Sequence, residues 1–439
     1  MVSTFKSWKN RRGGLWSHPD FLKLWAAQST SAFGAQIAGI AVPLLAAVTL
    51  DATALEMGIL TAAGSIPFLI AGLFVGVWAD RNRKRPMMVM ADISRAIVLL
   101  AIPIAAVFDQ LSFGLLLIVA LINGLLSVIF DVADLSYLPS LVRRDQLVEA
   151  NSKMEGSYST AQVAGPAIAG VLVALVTAPF ALFVNALTFL GSAFWLRKIE
   201  HVEDPPIPAA EHEPIRVEIT TGMRTVSQSP ILRALIGTSG ATAFFGEVFM
   251  AIYVLYLTRE LDLSTSMIGL IFGIGGIGAL IGAMLAEPLS RRIGIGNSIM
   301  LGQAMFGLTG MLIPLAVLMP SIALPMVIAS EFLQWGFLIL RQVNSAGMRQ
   351  AYTPKQEMGR VQSTSLLVVR GLKPIGAIAG GLLATSIGSA LTLTLAEIGM
   401  LIAVLPLFFS PVRDVMTLAQ ADVEDEVALN SLEPAMISS

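Results

Sequence analysis

The chain has 439 residues, 55% of them hydrophobic and only 13% charged, about half the charged share of a globular domain. That balance marks an integral membrane protein, while the net charge of -2 says nothing of partners. The absence of cysteine excludes disulfides, thiolate metal sites and a cysteine nucleophile.

The three histidines, His18, His201 and His212, all fall in polar segments, which leaves no histidine metal cluster and no intramembrane histidine relay. No G-x-x-x-x-G-K-S/T run occurs, against an ATP-driven pump, and no nucleophile-base constellation points to an enzyme. No cofactor and no metal are expected, and nothing points to nucleic acid.

Residues 1–23 carry Lys6, Lys9, Arg11, Arg12 and Lys23 among Phe5, Trp8 and Trp16. They are expected to form a cytoplasmic arm against anionic lipid. Twelve apolar stretches follow, each near the ~20 residues a spanning helix needs. They lie at about 24–48, 57–79, 87–107, 113–135, 154–176, 179–196, 232–257, 265–286, 295–318, 322–340, 361–384 and 388–409. The first is too long for a signal-peptide core and is taken as retained. Of the 28 Lys and Arg, all but Arg259 and the intraspan Arg95, Arg370 and Lys373 fall on one side, placing both termini in the cytoplasm.

The second span runs through Gly72-Leu-Phe-Val-Gly76 into Asp80, Arg81, Arg83, Lys84 and Arg85. The glycine spacing invites a second helix to approach closely. Asp80 at the boundary calls for a cationic or helix N-terminal partner. This stretch resembles the loop between the second and third helices of the major facilitator superfamily, roughly G-x-x-x-D-R-x-G-R-R/K. Gly76, Asp80, Arg81, Lys84 and Arg85 match, and Arg83 stands where that family usually has glycine. The resemblance implies that Asp80 locks a gate against the start of the eleventh helix, where Gly359 and Arg360 stand. An ordinary positively charged loop is the plainer alternative.

In the fifth span Gly165-Pro166-Ala-Ile-Ala-Gly170 predicts a bendable, closely packed helix. It resembles the antiporter motif of drug-exporting facilitators at Gly165, Pro166 and Gly170, whereas Ser152, Ala161 and Ala169 replace glycines of that pattern. A packing kink without bearing on transport direction is the alternative. Residues 197–231, with Pro205, Pro206, Pro208 and Pro214 among acids, read as a polar cytoplasmic linker. It divides a six-helix bundle at 24–196 from another at 232–410. The acidic tail at 411–439 carries no assigned chemistry. Weak repeats join the halves: Gly72-x-x-x-Gly76 with Gly278-x-x-x-Gly282, and Gly165 to Gly170 with Gly376 to Gly380. The fold expected is an all-α membrane protein of twelve helices in two pseudo-symmetric bundles.

Ionisable side chains inside a bilayer are expensive, so each is a candidate. Glu247, Glu331, Arg370, Lys373 and Glu397 lie near the middle of their spans. Glu247 is the first choice for a protonatable or cation-attracting group, and Glu331 with Arg370 or Lys373 is the alternative pair. Static salt bridges are the competing reading. Glu397 is expected to be a packing residue, and Asp92, Arg95, Asp131 and Asp134 a structural network. The familiar arginine of the fourth helix in drug antiporters has no counterpart in Ala120-Leu-Ile-Asn123-Gly124. Polar Gln28, Ser29, Ser31, Gln36, Asn123 and Gln162 either face a cavity or pair between helices.

Phe21-Leu-Lys-Leu-Trp25, Asp80-Arg81, Leu138-Pro139, Asp145-Gln146-Leu147 and Ala150-Asn151 resemble the branch holding macrolide-efflux and enterobactin-exporter proteins. That resemblance implies an exporter of bulky amphipathic small molecules, drugs or siderophores, driven by protons; a monomer in the plasma membrane is expected. Uptake of a small metabolite by symport or facilitated diffusion is the alternative.

Overall fold

A computed structural model describes residues 14–143, 146–203, 215–354 and 357–417. Within these, the side chains of Leu73, Val77, Asp80, Val148, Val163, Ala167 and 215–219 are not described. The lysines and arginines of the arm at 1–13, Arg144, Asp145, the linker prolines, His212, Lys355, Gln356 and the tail from 418 lie outside the described residues.

The described chain is helical. Its main helices are α1 (Pro19–Leu44), α2 (Ala54–Asp80), α3 (Lys84–Val107), α4 (Phe113–Leu141), α5 (Leu147–Val176) and α6 (Ala178–Arg197). After the linker come α7 (Ile215–Gln228), α8 (Pro230–Arg259), α9 (Thr265–Ile293), α10 (Ile295–Gly310), α11 (Ala323–Ala351), α12 (Met358–Ile387) and α13 (Ser389–Ile402). Among the described residues eleven helices are long and apolar enough to cross a membrane, and twelve when the bent α5 counts as one span. The bend of α5 is 40° between Glu149–Pro166 and Ile168–Val176, at the expected proline.

Local chemistry sets the ends. His18 Nδ1 accepts from Phe21 N, and Pro19 begins α1 where its missing N–H costs nothing. Ser112 and Ser229 cap α4 and α8 through their hydroxyls. The repeat is visible in matched lengths: α4 and α11 both have 29 residues, α5 and α12 both 30. Each member of the second pair ends at a single-residue break, Thr177 with φ 72° and Gly388 with φ 86°. Glycine adopts that conformation freely, whereas a β-branched residue there is strained by about 1–3 kcal/mol. Thr177→Gly is therefore expected to raise the thermal midpoint of the detergent-solubilised protein, and a fall would show that Thr177 packing outweighs the strain.

The chain divides into two compact units. One comprises Met1–Ala52, Ala63–His212 and Ser264–Gly273, the other Thr53–Ala62, Glu213–Leu263 and Ile274–Ser439. In the first, Phe21, Leu24, Met88, Tyr137 and Leu196 are fully buried in one core. The described end of the arm docks on it: Leu15 is buried, its N–H donates to Glu149 Oε1 at 3.0 Å, and Lys153 Nζ lies 4.1 Å from the Trp16 ring. Leu15 of this part of the arm thus packs on protein, while Trp16 is 50% exposed.

In the second unit Ile231, Leu235, Ile299, Met348, Leu407 and Val412 form a core beside the start of the tail. The tail backbone accepts from Ile295 and Gly296 N–H groups there. The expected polar linker is half helix: α7 packs its Val226 into the second unit. The carbonyl of Arg360 and the hydroxyl of Thr364 would block any Cβ at Gly222.

Candidate functional site

The turn between α2 and α3 shows what its basic residues bind. Lys84 Nζ donates to the carbonyls of Ala79 and Asn82, closing the C-terminus of α2, where a cation meets the negative end of the helix dipole. Arg85 donates from Nε to Leu196 O at 2.8 Å and from Nη2 to Arg197 O at 2.5 Å, closing α6. Glu203 completes the junction, its carboxylate accepting from the N–H groups of Lys84 and Arg85 at 2.5 and 2.8 Å. Lys84, Arg85 and Glu203 thus tie α2, α3, α6 and the start of the linker into one unit. Asp80 ends α2, its side chain is not described, and Arg81 is exposed beside it. Arg360 stands in the first turn of α12, in the other unit.

The two Gly-x-x-x-Gly runs behave differently. Among the described residues a Cβ at Gly76 would meet nothing within 4 Å, and one at Gly72 only Phe68 of its own helix. At Gly278 and Gly282 a Cβ would run into the carbonyls of Phe332 and Gly336 on α11. The spacing permits an approach, but the partner helix decides it. In α5 a Cβ at Gly165 would collide with Gln36 of α1, and one at Gly170 with the Cα of Gly269 of α9. The predicted close packing of the Gly165-Pro166-Gly170 segment is present.

Among the ionisable candidates, Glu247 on α8 meets Lys373 on α12, with Nζ donating to Oε1 at 2.6 Å. The pair is only partly covered, with side chains 17% and 41% exposed. Arg370 lies half-buried on α12 in the turn before Lys373. Glu331 of α11 has other partners. It is buried and accepts from Trp335 Nε1 at 2.7 Å, with the Tyr253 hydroxyl a further neighbour. Glu397 is fully buried and accepts from Gln334 Nε2 at 2.7 Å, while its second oxygen has no hydrogen-bond partner among the described residues.

The first unit holds the expected network. Arg95 Nη1 donates to Asp92 Oδ1 at 3.1 Å, and its guanidinium lies 4.9 Å from the ring centroids of both Phe130 and Phe189. Asp131 interacts with Arg95 and Asp134, and Gln28 donates to Asp134. Gln28 therefore pairs between helices.

Three contributors went unread in the sequence. Trp335 and Gln334 are helix neighbours of Glu331 that bind the two buried glutamates. Arg341 belonged, by apolarity, to the loop after the tenth span, yet α11 continues to Ala351 and buries it to 4% exposure against Gly302. Its Nε has no hydrogen-bond partner among the described residues. Continuing helix periodicity past residue 340 was the signal that could have found it.

A family model, the Major Facilitator Superfamily, matches residues 24–372. The multidrug efflux pump Tap of Mycolicibacterium fortuitum is 26% identical over 407 residues, covering 90% of this chain and 96% of Tap. The enterobactin exporter EntS of Escherichia coli O127:H6 is 26% identical over 364 residues, covering 81% and 83%. Among solved structures, a bacterial homologue of the iron transporter ferroportin aligns with TM-score 0.71 at 18% identity over 89% of this chain and 98% of its own. A bacterial homologue of the lysosomal transporter Spinster aligns with TM-score 0.66 at 13% identity over 88% and 95%. These two likenesses concern the fold, two bundles of six helices.

Proposed function

The chain belongs to the Major Facilitator Superfamily and is a multi-pass membrane transporter, and we propose that it exports bulky amphipathic small molecules by proton antiport. Drugs of the macrolide kind and siderophores are the substrate classes, and the kinship with an efflux pump and a siderophore exporter supports them. The protein works as a monomer in the plasma membrane with both termini in the cytoplasm, in keeping with its one-sided lysines and arginines.

The observation that carries the coupling is the Glu247–Lys373 ion pair between α8 and α12. Ionisable groups at that depth face a protein interior or a water-filled cavity almost without exception. A proton on Glu247 removes half of the pair, so protonation and the packing of α8 on α12 are linked. Substrate and proton then compete for one state of the carboxylate. Asp80, with Arg81 and Gly76 beside it, forms the gate against Arg360, and its two states set the populations exchanged in alternating access. The bend at Pro166 lets α5 follow that exchange. Glu331 and Arg370 shape the same bundle, with Glu331 the second proton site.

The test measures accumulation of macrolides, lipophilic dyes and siderophores in cells lacking their own exporters. The wild type is expected to lower accumulation, and a protonophore or Asp80→Asn to restore it. Glu247→Gln is expected to abolish export at equal expression, and Glu247→Gln with Lys373→Gln to remain inactive. Export surviving in the double variant would make the pair a static bridge. No change for any compound, or uptake insensitive to the protonophore, would refute export and favour a metabolite carrier.

A further inference from the structure

Beside the α2–α3 turn, the first unit has a cavity of about 600 Å³ between the start of α3 and the end of α6. Arg83, Arg85 and Arg197 line its polar side, and Val89, Met90 and Ile93 its apolar side. Two carboxylates also line it: one is engaged, and the other, Glu200, is turned to solvent with its side chain 88% exposed. Glu203 is held by the first N–H groups of α3, and Glu200 lies 3.5 Å from Lys23 Nζ. Arg85 is spent on the carbonyls that end α6. The side chains of Arg83 and Arg197 are exposed, and Arg83 makes no cap bond with its own helix. The cavity is therefore a place where two cations meet an apolar wall at a membrane boundary.

That wall does not stop at the cavity. Met90, Ile97 and Ile104 are 43%, 64% and 55% exposed, and their spacing of seven puts them on one face of α3. Phe194 and Trp195 are exposed at the matching end of α6, and tryptophan is the type of ring that sits at headgroup level. An anion bound at Arg83 and Arg197 would thus have a mainly apolar track, broken only by Ser94, leading from it along α3. A soluble phosphate uses the first half of this surface and leaves the second in place without a role. An anionic phospholipid uses both.

We propose that the α3–α6 cavity binds the headgroup of one anionic phospholipid through Arg83 and Arg197, with an acyl chain along Met90, Ile97 and Ile104. Basic pockets of this kind at the cytoplasmic ends of spans select anionic headgroups over zwitterionic ones. The lipid would brace the junction that Glu203 and Arg85 hold, where the linker between the halves begins. The proposal rests on the membrane reading and the orientation, not on substrate or direction of transport, so its failure would leave the exporter reading standing.

The experiment is native mass spectrometry of the purified full-length chain titrated with dioleoyl phosphatidylglycerol, with dioleoyl phosphatidylcholine, and with glycerol 3-phosphate as a headgroup without chains. One phosphatidylglycerol is expected to bind about tenfold more tightly than phosphatidylcholine. Arg83→Gln with Arg197→Gln is expected to erase that preference at an unchanged thermal midpoint in detergent, because neither side chain holds the fold together. Glycerol 3-phosphate is expected not to displace the lipid. Equal affinity for the two lipids in the wild type would overturn the proposal even if the variant proved unstable. So would a double variant that keeps the preference, or displacement by glycerol 3-phosphate, which would make this a soluble-phosphate site.

Discussion

Arg95→Met is expected to destabilise the protein by about 3–5 kcal/mol, the cost of removing one partner from a buried ion pair. Arg95 and Asp92 are both buried, and the guanidinium lies between Phe130 and Phe189. Methionine refills much of the volume between the rings, so the loss is electrostatic. It removes from Asp92 the guanidinium that faces it, while Asp134, which interacts with both Asp92 and Asp131, stays in the cluster. Asp92→Asn in the same chain should recover part of the loss by removing the stranded carboxylate. Thermal midpoints in detergent for the two single variants and the double close the cycle. A mild single variant with no recovery in the double would mean that the cluster is hydrated and acts as a surface pair does.

Gly170→Val is the second large effect. A side chain at Gly170 would strike the Cα of Gly269, and neither backbone can swing aside as a long side chain would. Overpacking of this kind costs about 1–3 kcal/mol. It should also push α9 off α5 just beyond the bend at Pro166, so transport should fall more than abundance does. Gly156→Val supplies the control on the same helix, because a Cβ there meets nothing within 4 Å. Accumulation assays at matched expression, with detergent melting alongside, separate the outcomes. Equal behaviour of the two variants would show that α5 and α9 separate freely at this point and that the glycine is incidental.

The fold could be read from the chain because its physics is one-dimensional. A span needs ~20 apolar residues wherever it occurs, and lysine and arginine mark where it leaves the bilayer. The α5–α6 boundary was harder, since apolarity runs on through Thr177 and only its backbone conformation breaks the helix. The α7 helix was hidden within a stretch whose composition is that of a linker.

The candidate site was legible residue by residue but not pair by pair. Glu247, Glu331, Arg370 and Lys373 stood out because an ionisable group in lipid is costly wherever it lies. Their partners depend on which helix faces which, and spans apolar on every side carry no record of that. So Lys373 falls to Glu247, Glu331 to Trp335, and Gln28 to Asp134. Gly72 and Gly278 sit in the same motif, yet among the described residues a Cβ at Gly278 would strike the backbone of another helix and one at Gly72 would meet only its own.

Composition, charge asymmetry and the short motifs by themselves determined a membrane transporter of this superfamily and nearly all the span positions. The tertiary structure alone decided the roles of single side chains: Lys84 and Arg85 as helix caps, Glu203 as their counter-charge, Arg341 as a buried cation. Insertion into lipid is governed by each segment's own transfer free energy, which the sequence carries locally. A side chain's role is governed by neighbours far away in the chain, and those exist only once the helices have packed.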